Sequence, residues 1–302
     1  MKSAFSPIDA AYEGVRLVRR EPKAVLYWIA VWALVLAAVG VIRALTAAPQ
    51  AGGAAHDAIV LVKSYGPLAI VLVPTLLALG VMNTATVYRA VLQPNEHGWH
   101  LFKLGAEEAR IAVVHAVGGV LLFLATLLLW RFLPAAAGVL FWVASPLSGV
   151  VPGHYQIFAA LGAAATVALE VWVAVRFSLA PVESFAQRSF PLASYWSMTR
   201  GHFWRLLGSY LLVFLEVALF LMVFAVIGLL LGVTAGAVMA WRGPDLARRA
   251  LLLALVPASA VLGAALLAAP ATLICACQAY AYRAIAQADA SVATDAPAQQ
   301  PA

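Results

Sequence analysis

The sequence predicts an all-α integral membrane bundle of six transmembrane helices. Three observations predict it: an extreme apolar composition, six apolar segments of spanning length, and three similar exits from those segments. The chain is 64% apolar and only 11% charged, against roughly 45–50% and 25% for soluble domains. Its mean hydropathy of +0.94 exceeds what a core built from 302 residues can hide, so a bilayer must solvate most of the apolar surface.

A spanning helix needs about 20 apolar residues. The segments that qualify lie near 24–45, 66–88, 109–132, 156–175, 206–233 and 250–280. The first has a long charged leader and a poor cleavage site at Ala44–Ala48, so it is read as an uncleaved helix rather than a signal peptide. The last is long enough to tilt or to extend past the hydrocarbon. Residues 1–285 form the transmembrane domain, and the Ala/Gln/Pro/Asp tail at 286–302 reads as disordered and cytoplasmic.

Orientation follows from the 19 Lys and Arg residues. Lys2, Arg16, Arg19, Arg20, Lys23, Arg89, Lys103, Arg110, Arg176, Arg188, Arg200, Arg205 and Arg283 fall on the side of the termini. Arg43, Lys63, Arg131, Arg242, Arg248 and Arg249 fall on the other. The excess places both termini in the cytoplasm. Heavy use of Ala, Val and Leu with little Lys points to a GC-rich bacterial gene, hence to the bacterial inner membrane. The net charge of +6 is explained by that membrane asymmetry, and no nucleic-acid partner is expected.

The exits are alike. Val87-Tyr88-Arg89-Ala90-Val91 and Ala281-Tyr282-Arg283-Ala284-Ile285 each end an apolar run with an aromatic, a cation and a small residue. Val175-Arg176-Phe177-Ser178-Leu179-Ala180-Pro181 keeps the Arg, and its spacing to Pro matches that from Arg89 to Pro94. Tyr88, Arg89, Arg176, Trp196, Trp204, Tyr282 and Arg283 are therefore read as interfacial anchors, with Tyr at headgroup level and Arg on the cytoplasmic side.

Amphipathic pieces precede the hairpins. Ser6 can cap a helix that has Pro7 in its first position and Asp9 in its first turn. Phe5, Ile8, Tyr12 and Val15 then form an apolar stripe suited to the headgroup plane. Comparable segments at Trp99–Lys103 and Leu192–Thr199 break near Gly105 and Gly201 before the next span. The implied unit is an interfacial helix plus a helical hairpin, used three times. The outer connections at 47–55, 134–152 and 236–244 are rich in Pro, Gly and Ala and read as loops.

This three-hairpin layout, the Arg176-to-Pro181 exit and the stretch Ser194-Tyr195-Trp196-Ser197-Met198-Thr199-Arg200-Gly201-His202-Phe203-Trp204-Arg205 resemble a group of bacterial membrane families. Among them is the membrane domain attached to some glycerophosphodiester phosphodiesterases. The resemblance covers about residues 1–285 and implies an inner-membrane helical fold. It implies no catalytic residues, since those families have none assigned in their membrane part. The tail after the last span is too short for the soluble phosphodiesterase domain, so hydrolase activity is not expected.

Ionisable residues inside spans are the pointers to function, because each costs about 2.5–3.5 kcal/mol to insert. Glu216 lies ten residues into the fifth span, with Ser209 and Arg205 on its face toward the cytoplasm. Glu170 precedes Arg176 by six residues, near enough to snorkel toward it. His115 sits just inside the third span, and Asn83 near the end of the second. Glu216, Glu170, His115, Asn83 and Arg205 thus define a candidate polar site in the cytoplasmic half of the bilayer. It is either a cavity for a cation or proton, or a hydrogen-bonded cluster fixing helix register.

Small residues mark packing faces. Gly228, Gly232 and Gly236 repeat every fourth residue in span five, and Ala260, Ala264, Ala268, Thr272 and Ala276 do so in span six. Cys275 and Cys277 cannot bridge each other at that spacing and read as packing residues. The His97/His100 pair beside Glu96 reads as solvated surface, and no metal or other cofactor is expected. Zincin, nucleophile-elbow and phosphate-loop motifs do not occur, so the chain is read as a non-enzyme. The function expected is a non-catalytic scaffold, assembly or regulatory component working with the lipid bilayer and with another membrane protein or a second copy. The alternative is a transporter of a small solute or lipid-like molecule using Glu216 and Glu170, and third stands an intramembrane enzyme.

Overall fold

The computed structural model describes residues 5–46, 54–94, 105–148, 155–190, 194–240 and 245–295. These residues form helices α1 (Pro7–Arg20), α2 (Pro22–Thr46), α3 (Ala54–Leu92), α4 (Ala106–Ser148), α5 (Tyr155–Phe177), α6 (Ala180–Gln187), α7 (Ser194–Arg200), α8 (Phe203–Ala240) and α9 (Asp245–Asp295). No strand occurs among them. Six of the helices are long and apolar enough to cross a membrane, which gives a multi-pass helical membrane protein.

Several helices outrun their predicted boundaries. α4 continues through Pro134 to Ser148, where a loop was expected, and α3 begins at Ala54. α9 reaches Asp295, so residues 286–295 are helical rather than disordered. At 51 residues α9 is about 75 Å long, well over twice the roughly 30 Å hydrocarbon thickness. Composition argued against helix in these stretches. Yet an α-helix satisfies its own backbone, so Ala-rich flanks extend a span readily. The expected interfacial segment Trp99–Lys103 lies outside the described residues.

The chain divides into two compact units. The first comprises residues 1–104 and 208–302, and α9 is its axis, with α1, α2 and α3 all packed against it. The small-residue stripe makes this possible. Ala260, Ala264, Ala268, Thr272 and Ala276 are all buried, and Trp28 and Trp32 of α2 with Leu79 and Met82 of α3 close over Ala264 and Ala268. Further along α2, Leu36 lies against Gly263 and Gly40 against Val256. The glycines of α8 are used differently. Gly228 meets Leu262, while Gly232 and Gly236 have open space beside them. Leu211, Phe214, Leu229 and Leu230 are exposed around α8, as befits a helix whose solvent is lipid.

α1 forms as its capping sequence dictates. The Ser6 hydroxyl accepts the Asp9 amide at 3.4 Å, Pro7 opens the helix, and the Glu21 amide closes it on the Leu17 carbonyl. It docks through small residues, a face not assigned from the sequence, and of the apolar stripe Phe5 is buried. Ala10, Ala11, Gly14 and Leu17 are buried, whereas Ile8 and Tyr12 are 60% and 53% exposed. The small face wins because backbone contact needs no side chain in the way. A Cβ on Gly14 would lie 2.8 Å from the Leu273 Cα. The Ile8–Tyr12 stripe is left on the far side of α1.

The second unit comprises residues 105–207. α4 pairs with α5 as a hairpin, α6 packs on α4, and α7 on α5. Gly105 starts α4, where the Glu108 carboxylate reaches back to accept its amide at 3.0 Å. α7 ends in a turn at Gly201-His202, the predicted break, and α8 starts at Phe203.

Candidate functional site

The ends of α3 and α9 near Arg89 and Arg283 meet through the residues that make their exits alike. Tyr88 is completely buried, and its hydroxyl donates to the Gln278 Oε1 at 2.9 Å. Arg283 Nη1 donates to the Val91 carbonyl and Arg20 Nη2 to the Ala90 carbonyl, each at 2.8 Å. Two cations thus cap the last turn of α3, where carbonyls lack helical partners and the helix dipole is negative. Deeper along the seam the Cys275 thiol lies 3.5 Å from the Thr84 hydroxyl, which itself donates to the Gly80 carbonyl. Tyr88 and Tyr282 were expected at headgroup level. They are buried between helices instead, Tyr282 at 8% exposure. Arg283 also stacks over Tyr280, 5.5 Å from the ring centre.

Two predicted site residues in this unit remain without hydrogen bonds among the described residues. Asn83 is 1% exposed, and neither its Oδ1 nor its Nδ2 has a partner. Glu216 encloses its Oε2 without a partner. On the docked helix α1, Arg16 bonds Asp9 at 2.6 Å and Glu13 at 3.5 Å. The Asp9 bond raises the pKa of Arg16 further above its ordinary value.

The second unit holds Glu170, His115 and Arg205, and here the expected associations change. Glu170 leaves Oε1 enclosed without a partner and forms no ion pair with Arg176. The reason is visible at Arg176. Its guanidinium sits 5.6 Å from the Trp172 ring, 5.5 Å from Trp196 and 6.0 Å from Phe203. Nη1 donates to the Trp196 carbonyl at 3.4 Å and to the Thr199 hydroxyl at 3.3 Å. Aromatic faces attract a cation through their quadrupole, so Arg176 turns to α7 rather than to the acid. Trp172 and Trp196 meet edge to face at 5.2 Å, and Phe177 packs on Tyr195 at 5.0 Å. Burial raises the Tyr195 phenol above its usual pKa. Trp204 points outward at 79% exposure. His115 is exposed and returns to its own helix, with Nδ1 2.9 Å from the Ile111 carbonyl.

The five predicted polar residues therefore divide, with Asn83 and Glu216 in the first unit and Glu170, His115 and Arg205 in the second. Three participants were not predicted. Gln278 was overlooked although it precedes Tyr282 by one helical turn. Trp172 lies four residues before Arg176, a spacing that places them on one face. Glu183 of α6 is fully buried, with Gln187 donating to its Oε1 at 2.9 Å. Its signal was a lone acid in the apolar run Ala180–Phe185. Among the described residues no group of three or more His, Cys, Asp or Glu is placed to hold a metal. No protein-family model matches the chain, and no curated protein or solved structure matches it.

Proposed function

We propose that this chain is a non-catalytic component of the bacterial inner membrane, serving as a scaffold, assembly or regulatory subunit for another membrane protein. The observation that carries this reading is the use made of polar side chains at the α3–α9 seam. Tyr88, Gln278, Thr84, Cys275, Arg20 and Arg283 bond to one another or to helix ends. Such interhelical bonds fix register and hold backbones in place. A rigid seam with α1 docked on it presents Ile8 and Tyr12 outward on a fixed support.

Unpartnered Glu216 and Asn83 favour a second reading, transport of a small solute or lipid-like molecule. One experiment separates the two. A strain lacking the gene is complemented with Glu216→Gln, Glu170→Gln or the pair Ile8→Ser/Tyr12→Ser, with protein abundance measured in parallel. The scaffold reading expects both Gln variants to complement and the α1 variant to fail at normal abundance. A Glu216→Gln protein present at normal abundance that fails to complement overturns it in favour of transport.

A further inference from the structure

We infer that Arg176, in its aromatic clamp, is a receptor for a phosphate-bearing anion at the cytoplasmic end of α5. The inference is independent of the scaffold reading.

Every contact the guanidinium makes among the described residues is with a neutral group. These are the Trp196 carbonyl, the Thr199 hydroxyl and the rings of Trp172, Trp196 and Phe203. Nε is enclosed without a partner, and Nη2 makes no hydrogen bond there. No carboxylate forms an ion pair with it among those residues. Glu170, on the same helix, keeps an oxygen unpartnered rather than pairing with it. A partly buried cation lacking a counter-ion is costly, and ring quadrupoles offset only part of that cost.

The chemistry of the missing counter-ion follows from what is fixed. The clamp surrounds the guanidinium with three rings, with Nη1 committed to α7 and Nη2 uncommitted. Planar N–H forks match phosphate oxygens. Arg200, which follows Thr199, is exposed and adds a second positive charge on α7. Arg176 also ends the apolar run of α5, the level at which basic residues meet lipid headgroups. A lipid phosphodiester and free phosphate both meet this description.

The test uses the full chain purified in mild detergent. Binding of phosphatidylglycerol, phosphatidylcholine and inorganic phosphate is followed by native mass spectrometry and thermal stabilisation. Phosphatidylglycerol should bind about fivefold more tightly than phosphatidylcholine, whose choline cation offsets the charge of its own phosphodiester, the increment expected from one uncompensated cation. Arg176→Gln should abolish that preference and Arg176→Lys should weaken it. Stabilisation by inorganic phosphate that is lost in Arg176→Gln assigns free phosphate, and a response to phosphatidylglycerol alone assigns the lipid. Should Arg176→Gln fail to fold, a photoreactive phosphatidylglycerol on the wild type decides. Labelling within 172–205 supports the site, and labelling only elsewhere overturns it. Equal binding of both lipids with no response to phosphate, or a preference that survives in Arg176→Gln, overturns it too.

Discussion

Gly14 shows how much rests on single residues in this protein. Its missing side chain lets α1 touch the backbone of α9, and any Cβ would lie 2.8 Å from the Leu273 Cα. That atom belongs to a helix backbone and cannot turn aside as a side-chain tip does. Gly14→Val should therefore lower stability by about 1–3 kcal/mol, the range for overpacking a close contact. The melting temperature in detergent checks this, and an unchanged value would refute the tight docking. Tyr88 acts through polarity instead of size. Tyr88→Phe removes only the hydroxyl bonded to Gln278, so a loss of about 0.6 kcal/mol and at most about 1.7 is expected. Combining it with Gln278→Leu in a double-mutant cycle should recover a coupling of that size, and additivity would deny the bond.

Among the elements, α6 carries a conformational oddity with a reason. Its C-cap Arg188 has φ 52°, a left-handed conformation in which glycine or asparagine is the usual residue. The side chain accounts for its presence, since Nε lies 3.3 Å from Glu107 Oε1 at the start of α4. Arg188 is exposed and Glu107 partly so, which limits the pair to about 0–1 kcal/mol. Relief of the backbone on Arg188→Gly is of similar size, roughly 1 kcal/mol. Arg188→Gly should therefore leave stability near wild type, while Arg188→Ala loses the pair and keeps the strain. Thermal denaturation of the three proteins should place Ala lowest. If Ala equals wild type, the ion pair contributes nothing. The same element shows what sequence reading could reach. The Arg176 exit and the break at Gly201 stand in the sequence because interfacial chemistry and helix breakers are local. Glu183 and the clamp partner Trp172 were missed because their roles depend on which face of α6 or α5 meets its neighbour. The face by which α1 docks was missed for a related reason. In a bilayer apolar surface faces outward, so amphipathicity no longer identifies the buried side, and α1 docks through Gly14 instead.

At the scale of the molecule, six spans were legible because hydropathy and length suffice for them. The division of the polar residues between two units was not, because it depends on long-range packing around α9. Orientation can be argued with the same economy as the spans. Thirteen of the 19 Lys and Arg are assigned from the sequence to the side of the termini, and Arg20 and Arg283 both cap the end of α3. That contact puts the last turn of α1 and the exits of α3 and α9 at one level in the first unit. If cations remain where synthesis leaves them, this level is cytoplasmic, and the loop after α8 lies on the opposite side. Arg242, Arg248 and Arg249 oppose the trend near that loop, so the assignment deserves a direct measurement. Alkaline phosphatase fused after Ala240 should be active in a bacterial host, and the same enzyme fused after Asp289 should be inactive. A fluorescent protein that matures only in the cytoplasm should give the inverse pattern at the two positions. The reversed result would place α1 and its exposed Ile8–Tyr12 face outside the cell membrane, and with it the partner proposed for that face.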